Sequence, residues 1–203
     1  MPYSLILSFF TVLLFFAASS AHADYYVWEH EQAGIEITFP DTWKMTHNQN
    51  PDDILTILGP TDFKDHPKCI LSKVEDRRYS IFPPEYARSV QQTAYSDVFW
   101  NDYFKSHHHN VTVHQFGDHA GLGRGAGSYV IYDYDEMIGK EKFTKTALGF
   151  AALHNNTAYM LTCSALREGF GQWRPLFQSI AESVDMQAIH SPRMHGYYRD
   201  FTK

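Results

Sequence analysis

Thr146-Ala-Leu-Gly-Phe-Ala-Ala-Leu-His154, Asn155-Asn156 and Thr157-Ala-Tyr-Met-Leu-Thr-Cys-Ser-Ala165 are the consecutive segments from which the fold is read. Asparagine tolerates positive φ better than most residues, so Asn155-Asn156 predicts a two-residue hairpin turn. That turn pairs His154 with Thr157 and therefore Leu148 with Cys163. One face then carries Leu148, Phe150 and Ala152 against Cys163, Leu161 and Tyr159. The other carries Ala147, Gly149, Ala151 and Leu153 against Ser164, Thr162, Met160 and Ala158. Neither face holds a charged residue. A sheet with one wet side shows polar residues at every second position, so this hairpin is expected at the centre, covered on both sides.

The segment that follows supplies one cover. Trp173, Leu176, Phe177, Ile180 and Val184 fall at i, i+3, i+4, i+7 and i+11, with Ala181 in the same stripe. That spacing predicts an amphipathic helix with Trp173 among its buried residues. Arg174, Gln178, Glu182 and Asp185 lie on its other sides. Proline is tolerated in a first turn, so Pro175 puts the helix start near Gly171 to Arg174. Burying five large apolar side chains is worth on the order of 10 kcal/mol before ordering entropy is subtracted.

Outward from this core, Gly34-Ile-Glu-Ile-Thr-Phe-Pro40 alternates apolar and polar residues and reads as a strand. Ile54 to Leu58 and Cys69 to Val74 read as two more, each bounded by turn residues. Pro83-Pro84-Glu85 opens a helical stretch towards Ser106, with Pro84 suited to its first position. Its apolar residues (Ala87, Val90, Ala94, Val98, Phe99, Tyr103 and Phe104) drift round the axis, which predicts a break near Ser96-Asp97. This helix is the expected cover for the second face of the hairpin. Val111 to Phe116 and Ser128 to Tyr134 complete the strands. The order gives an α+β fold with a largely antiparallel sheet covered by helices on both faces, an α/β/α sandwich.

The 203-residue chain begins with an apolar run, Leu5 to Ala18, followed by Ala21-His22-Ala23 before Asp24. The run is too short to span a bilayer, and the small-x-small ending is that of a cleaved signal peptide over residues 1–23. Removing 23 of the 203 residues leaves 180, enough for one domain, assigned to 24–190, with a tail at 191–203. The leader holds no Asp, Glu, Lys or Arg, so the net charge stays at -6. That balance argues against nucleic acid as a partner. No second apolar segment suggests a membrane span. A periplasmic or secreted location is expected.

A family resemblance rests on two segments. Ile35-Glu-Ile-Thr-Phe-Pro-Asp-Thr-Trp43 resembles the F-P-x-x-W opening of PsbP-like domains. Ala158-Tyr-Met-Leu-Thr-Cys-Ser-Ala165 with Phe177-x-x-Ile180-x-x-Ser183-Val184 is similar to that family's closing strand and helix. The family includes the photosystem II extrinsic protein, a Ran-binding factor and exported proteins of the DcrB kind. The resemblance implies a non-catalytic binding or accessory module of the envelope, with a protein partner and no cofactor. It brings no catalytic site with it, and the acylated cysteine of the lipoprotein members is missing here.

Several stretches invite chemistry. His107-His108-His109, His114 and His119 put five imidazoles within thirteen residues. A small metal-dependent enzyme or metal-binding protein using His107, His109, His114 and His119 is therefore the rival reading. No H-E-x-x-H or C-x-x-C accompanies them, and a solvated helix end explains them more simply. Gly121-Leu-Gly-Arg-Gly-Ala-Gly127 lacks the strand-before, helix-after context of a phosphate loop and reads as a flexible or bulged connection. Its Arg124 is a weak anion candidate. Asp133, Asp135 and Glu136 lack EF-hand spacing and read as a charged hairpin tip beside Lys140 and Lys142. Cys69 and Cys163 both follow the leader, so they form either a disulfide or two small buried apolar groups. The aromatic, mildly basic tail offers Tyr197, Tyr198 and Arg199 as partner-binding residues.

Overall fold

The structure, a computed structural model, describes residues 24–60, 64–77, 94–154 and 156–187, without the side chains of His119 and Ala126. The leader 1–23, the predicted helix start at Pro83-Pro84, Asn155 and the tail 191–203 lie outside these residues. The chain runs β1 Tyr25–His30, β2 Ile35–Pro40, β3 Lys44–Thr46, β4 Asp53–Leu58, β5 Lys68–Glu75, α1 Asp97–His107 and β6 His109–Leu122. It continues β7 Gly125–Ile138, β8 Glu141–His154, β9 Thr157–Leu166, α2 Phe170–Glu182 and β10 Asp185–Met186. Seven strands form an antiparallel sheet in the order β3-β4-β5-β9-β8-β7-β6, and β1-β2-β10 form a second, smaller one.

The hairpin of β8 and β9 has the register its turn demands. His154 pairs with Thr157 and Leu148 with Cys163, and Asn156 takes the left-handed conformation at φ 58°. Its two faces enter two separate buried clusters. Leu148, Ala152, Tyr159, Leu161 and Cys163 pack with Phe177, Ile180, Ala181 and Val184 from α2 and its C-terminal end. Ala147, Ala151, Leu153 and Ala158 pack instead with Trp100 and Phe104 of α1 and with Tyr95. Gly149 lies directly under α1, where an added Cβ would stand 3.0 Å from the Trp100 ring.

Cys69 of β5 lies directly opposite Cys163 of β9, and the two form a disulfide across Cα atoms 4.0 Å apart. Both are buried in the α2-side cluster. The F-P-x-x-W segment meets the closing helix in space: Trp43 packs edge-on against Trp173 at 6.0 Å and Phe177 at 6.4 Å. Ser183, just past α2, accepts from the Thr38 backbone at 2.9 Å, which pins the helix end to β2.

The helices depart from expectation in detail. α2 starts at Phe170, so Pro175 sits in its second turn rather than its first. The carbonyl that loses its partner there belongs to Gly171, which is exposed, so the proline is tolerated. Trp173 is only half-buried: its ring covers Phe177 while its indole N–H donates to Asp65 at 3.2 Å. Trp173→Ala is therefore expected to cost about 2 kcal/mol, below the full core value. Exposed Arg174→Ala should cost under about 0.5 kcal/mol. Equal midpoint shifts in urea melts of the two variants would mean that the buried face is misassigned.

In α1 the break at Ser96-Asp97 is present, with Ser96 as N-cap. The buried residues, however, are Trp100 and Phe104, while Val98 is 63% exposed. Residues 95 and 96 leave the helical conformation of Ala94 before α1 begins at Asp97, so Val98 does not share the buried side of Ala94 as it would in one unbroken helix. The glycine run is not a loose connection. Gly121 and Leu122 end β6, Gly125 and Gly127 begin β7, and Gly123-Arg124 is the two-residue turn between them, with Gly123 at φ 57°. At Gly127 a Cβ would fall 1.8 Å from the Ala151 carbonyl, so the neighbouring strand can approach only glycine there.

Candidate functional site

A pocket of about 430 Å³ opens on the α1 side, between the end of that helix and the sheet. Tyr103, His107 and His108 border it from α1 and its end, and Lys68, Tyr134 and Glu136 rise from the strands. Strand alternation assembles the charged part. Glu136 stands two residues from Tyr134 on β7, Lys145 two from Ala147 on β8, and Lys68 two from Ile70 on β5, so all three share the α1 face.

Lys145 is 1% exposed. Its Nζ donates to the His66 carbonyl at 3.0 Å and stands 3.1 Å from Glu136 Oε2. Lys68 bonds the other oxygen of Glu136. Burial pushes the Lys145 amine down to about 8, and the Lys68 charge adds to this against the pull of Glu136. Burial alone would raise Glu136, but the two ammonium groups outweigh it and hold the carboxyl below its ordinary range. The three groups carry one net positive charge between them, but Asp52, Asp53 and Asp135 line the same hollow and make its wall acidic as a whole. It can hold a hydroxyl-rich group, and Lys145, buried beside it, is the group closest to nucleophile or base character.

His108 closes the aromatic side. Its Nε2 lies 3.1 Å from the Tyr132 hydroxyl, and its ring packs 4.4 Å from Tyr134. Tyr134 in turn donates to Ser164 at 3.1 Å, and burial raises its pKa. Burial, then the charges of His107 and Lys68, push His108 down from 6.5 to about 4. Between those values the unfolded chain holds a proton that the folded chain has released, so stability rises with pH across that window and falls on acidification. His108→Gln is expected to remove on the order of 1–2 kcal/mol of this dependence between about pH 4.5 and 6.5. Urea melts at stepped pH read it, and a variant retaining the wild-type slope would assign the titration to another group.

The histidine stretch does not converge. His107 is exposed and stacks on Tyr103 at 4.3 Å. His109 starts β6. His114 reaches the opposite face of the sheet, where its Nε2 stands 2.7 Å from Asp133 Oδ2. The His119 side chain lies outside the described residues. No three metal-ligating side chains come together among the described residues. The helix end carries His107 and the edge strand directs His114 to the other face of the sheet, so these two do not meet.

Asp133 is not at a hairpin tip either. The β7–β8 turn is at Gly139-Lys140, and Asp133 is buried beneath His114. Burial would raise its carboxyl, but hydrogen bonds from Thr146 at 2.6 Å, from His114 and from Arg167 outweigh it and hold the group low. Asp135 does sit with Lys142, at 2.8 Å, which with Asn110 draws its carboxyl down to about 2. Arg124 is committed to the Met186 carbonyl at 2.6 Å and to Asp185, so it ties the β6–β7 turn to β10 instead of greeting an anion. Tyr197, Tyr198 and Arg199 lie outside the described residues. Lys68, Lys145 and Arg167 escaped the sequence reading, Glu136 entered it only as part of a charged tip, and the one available signal was the i, i+2 step from the charged residue into an apolar strand.

No protein-family profile matches this sequence. No curated protein matches it. Similar solved structures include cyanobacterial PsbP (CyanoP) from Synechocystis, with 14% identity and a TM-score of 0.49 over 84% of this chain and 97% of that one. LpqN of Mycobacterium tuberculosis, described as involved in cell envelope biogenesis, has 18% identity and a TM-score of 0.45 over 82% and 92%. The Ran-binding protein Mog1p of Saccharomyces cerevisiae has 10% identity and a TM-score of 0.48 over 81% and 96%. PsbP and a Ran-binding protein are thus among the similar structures, the kinds of protein named by the resemblance of the two segments.

Proposed function

We propose that this chain is an exported binding or accessory module of the cell envelope, periplasmic or secreted, which works through a protein partner and is not itself a catalyst. In this reading residues 1–23 are a leader removed before Asp24. Residues 24–190 are one PsbP-like α+β domain with helices over both faces of its main sheet. Residues 191–203 are a tail whose Tyr197, Tyr198 and Arg199 dock on the partner. The observation that carries the reading is how the pocket's charges are used. Lys68, Lys145 and Glu136 are spent on one another, and among the described residues no buried side-chain nitrogen or oxygen lacks a partner. A general base or nucleophile needs an unengaged reach towards its substrate. The Cys69–Cys163 disulfide supports export, because such bonds persist in oxidising compartments. No helix among the described residues is long and apolar enough to cross a membrane.

A small enzyme is the second reading, favoured by one observation: the Lys145 amine, drawn down to about 8, stands beside a pocket with convergent polar groups. Affinity capture of the full chain from its native envelope fraction separates the two. A chain starting at Asp24 by mass spectrometry, with a stoichiometric protein partner, is the expected result. An uncleaved cytosolic chain, or a cleaved one that brings down no partner, would overturn it.

A further inference from the structure

α2 lies over β8, β9 and β2, and the β6–β7 end of the same face is left as a groove between the helix and the edge strand. Two hollows make it up, of about 510 and 460 Å³, joined at Ile131 and Arg174. Each is within the range of small-ligand sites. The groove changes character along its length. Tyr129, Ile131, Leu148 and Phe150 give the second hollow an apolar floor. The first is walled by His114, Arg167 and Arg174. Asp133 beneath them bonds His114 and Arg167 and so fixes both at the mouth, where their side chains remain about half exposed. Arg174 is exposed and has no acidic partner among the described residues. On a chain with a net charge of -6, this is a local concentration of cations. The only carboxylate lining the second hollow, Glu182, lies at the far end from Arg167, which disfavours an anion there.

We propose that this groove binds a medium-chain amphipathic carboxylate, with its head on Arg174 and Arg167 and its alkyl chain over Ile131, Leu148 and Phe150. The planar guanidinium fork matches a carboxylate, and the floor takes the part that water rejects. From Asp133 to Tyr129 on β7, or from Arg174 to Glu182 on α2, the groove runs roughly 12–13 Å, which suits an extended chain of modest length. This deepens the binding-module reading by naming a ligand class, and it rests on that reading.

Isothermal titration calorimetry of the full chain with decanoate, decyltrimethylammonium and acetate tests it. Decanoate is expected to bind once per chain, the cationic amphiphile at least tenfold more weakly, and acetate without saturation. Arg174→Ala should weaken decanoate at least fivefold with an unchanged melting temperature, and Arg174→Lys should recover part of the loss. Equal binding of the two amphiphiles would show an apolar hollow without head selectivity and overturn the proposal. So would acetate matching decanoate, an Arg174→Ala variant that binds as before, or no decanoate binding at all. A protein partner recovered from the envelope alongside no decanoate binding would remove this inference and leave the module reading standing.

Discussion

Replacing both cysteines, Cys69→Ala with Cys163→Ala, is expected to lower the unfolding free energy by about 4–5 kcal/mol, the largest loss available from so small a change of side-chain volume. The bond joins residues 94 apart, and tying so long a loop removes a correspondingly large share of the unfolded chain's freedom. It also staples β5 directly to β9, where the first third of the chain meets the last. Urea melts of the oxidised protein and the double variant read the difference. Each cysteine is 1% exposed, so reductant should act only when the chain opens. Recovering two alkylated thiols from the oxidised protein, denatured without reductant, would rule the bond out.

Trp100→Ala is expected to cost roughly 3–5 kcal/mol. The indole is 1% exposed, packs at 5.7 Å from Tyr103 and 5.9 Å from Phe104, and fills the space left by Gly149. Its N–H donates to the buried Ser128 hydroxyl at 2.8 Å. Trp100→Phe restores most of the bulk and leaves that hydroxyl without its donor, so a loss of about 1–3 kcal/mol should remain. Val98→Ala, two residues away and exposed, should stay within about 0.5 kcal/mol of wild type. Melts in which Val98→Ala costs as much as Trp100→Ala would mean that α1 packs through another face.

The same helix shows where reading from residues stops. The β8–β9 hairpin was fully legible because its turn fixes register and its alternation fixes both faces: Leu148 and Gly149 go where Asn155-Asn156 sends them. The stripe from Leu176 to Val184 was legible for a related reason, since one unbroken helix has one phase. α1 has no such continuity. The break at residues 95 and 96 separates it from Ala94, and beyond that break Val98 is exposed and Trp100 buried. β3 and β10 were missed because they are three and two residues long, and pairing with longer strands, not local pattern, makes them extended; β1 was missed too, and pairs along its whole length with β2. The candidate site was legible only as a cluster of histidines and, for Glu136, as part of a charged tip. Its Lys68, Glu136 and Lys145 are 68 and 9 residues apart and meet through the pairing of β5, β9, β8 and β7. No spacing in the sequence records that meeting.

The outer strand β6 has one more bearing, on how this protein behaves in crowded surroundings. Fourteen residues at the end of a sheet offer a template on which another chain's strand can grow. β6 is interrupted, however, by shifts in register at His109/Thr112, Val113/Gln115 and Asp118/Ala120, so its longest unbroken pairing with β7 is Gln115 to Asp118. Stacked fibrils need segments of about six or seven residues in regular extension. A strand kinked every few residues falls short of that length, and one pleated segment of Gln-Phe-Gly-Asp ends in a charge. The irregularities that break β6 into short pairings also deny it to unintended polymerisation.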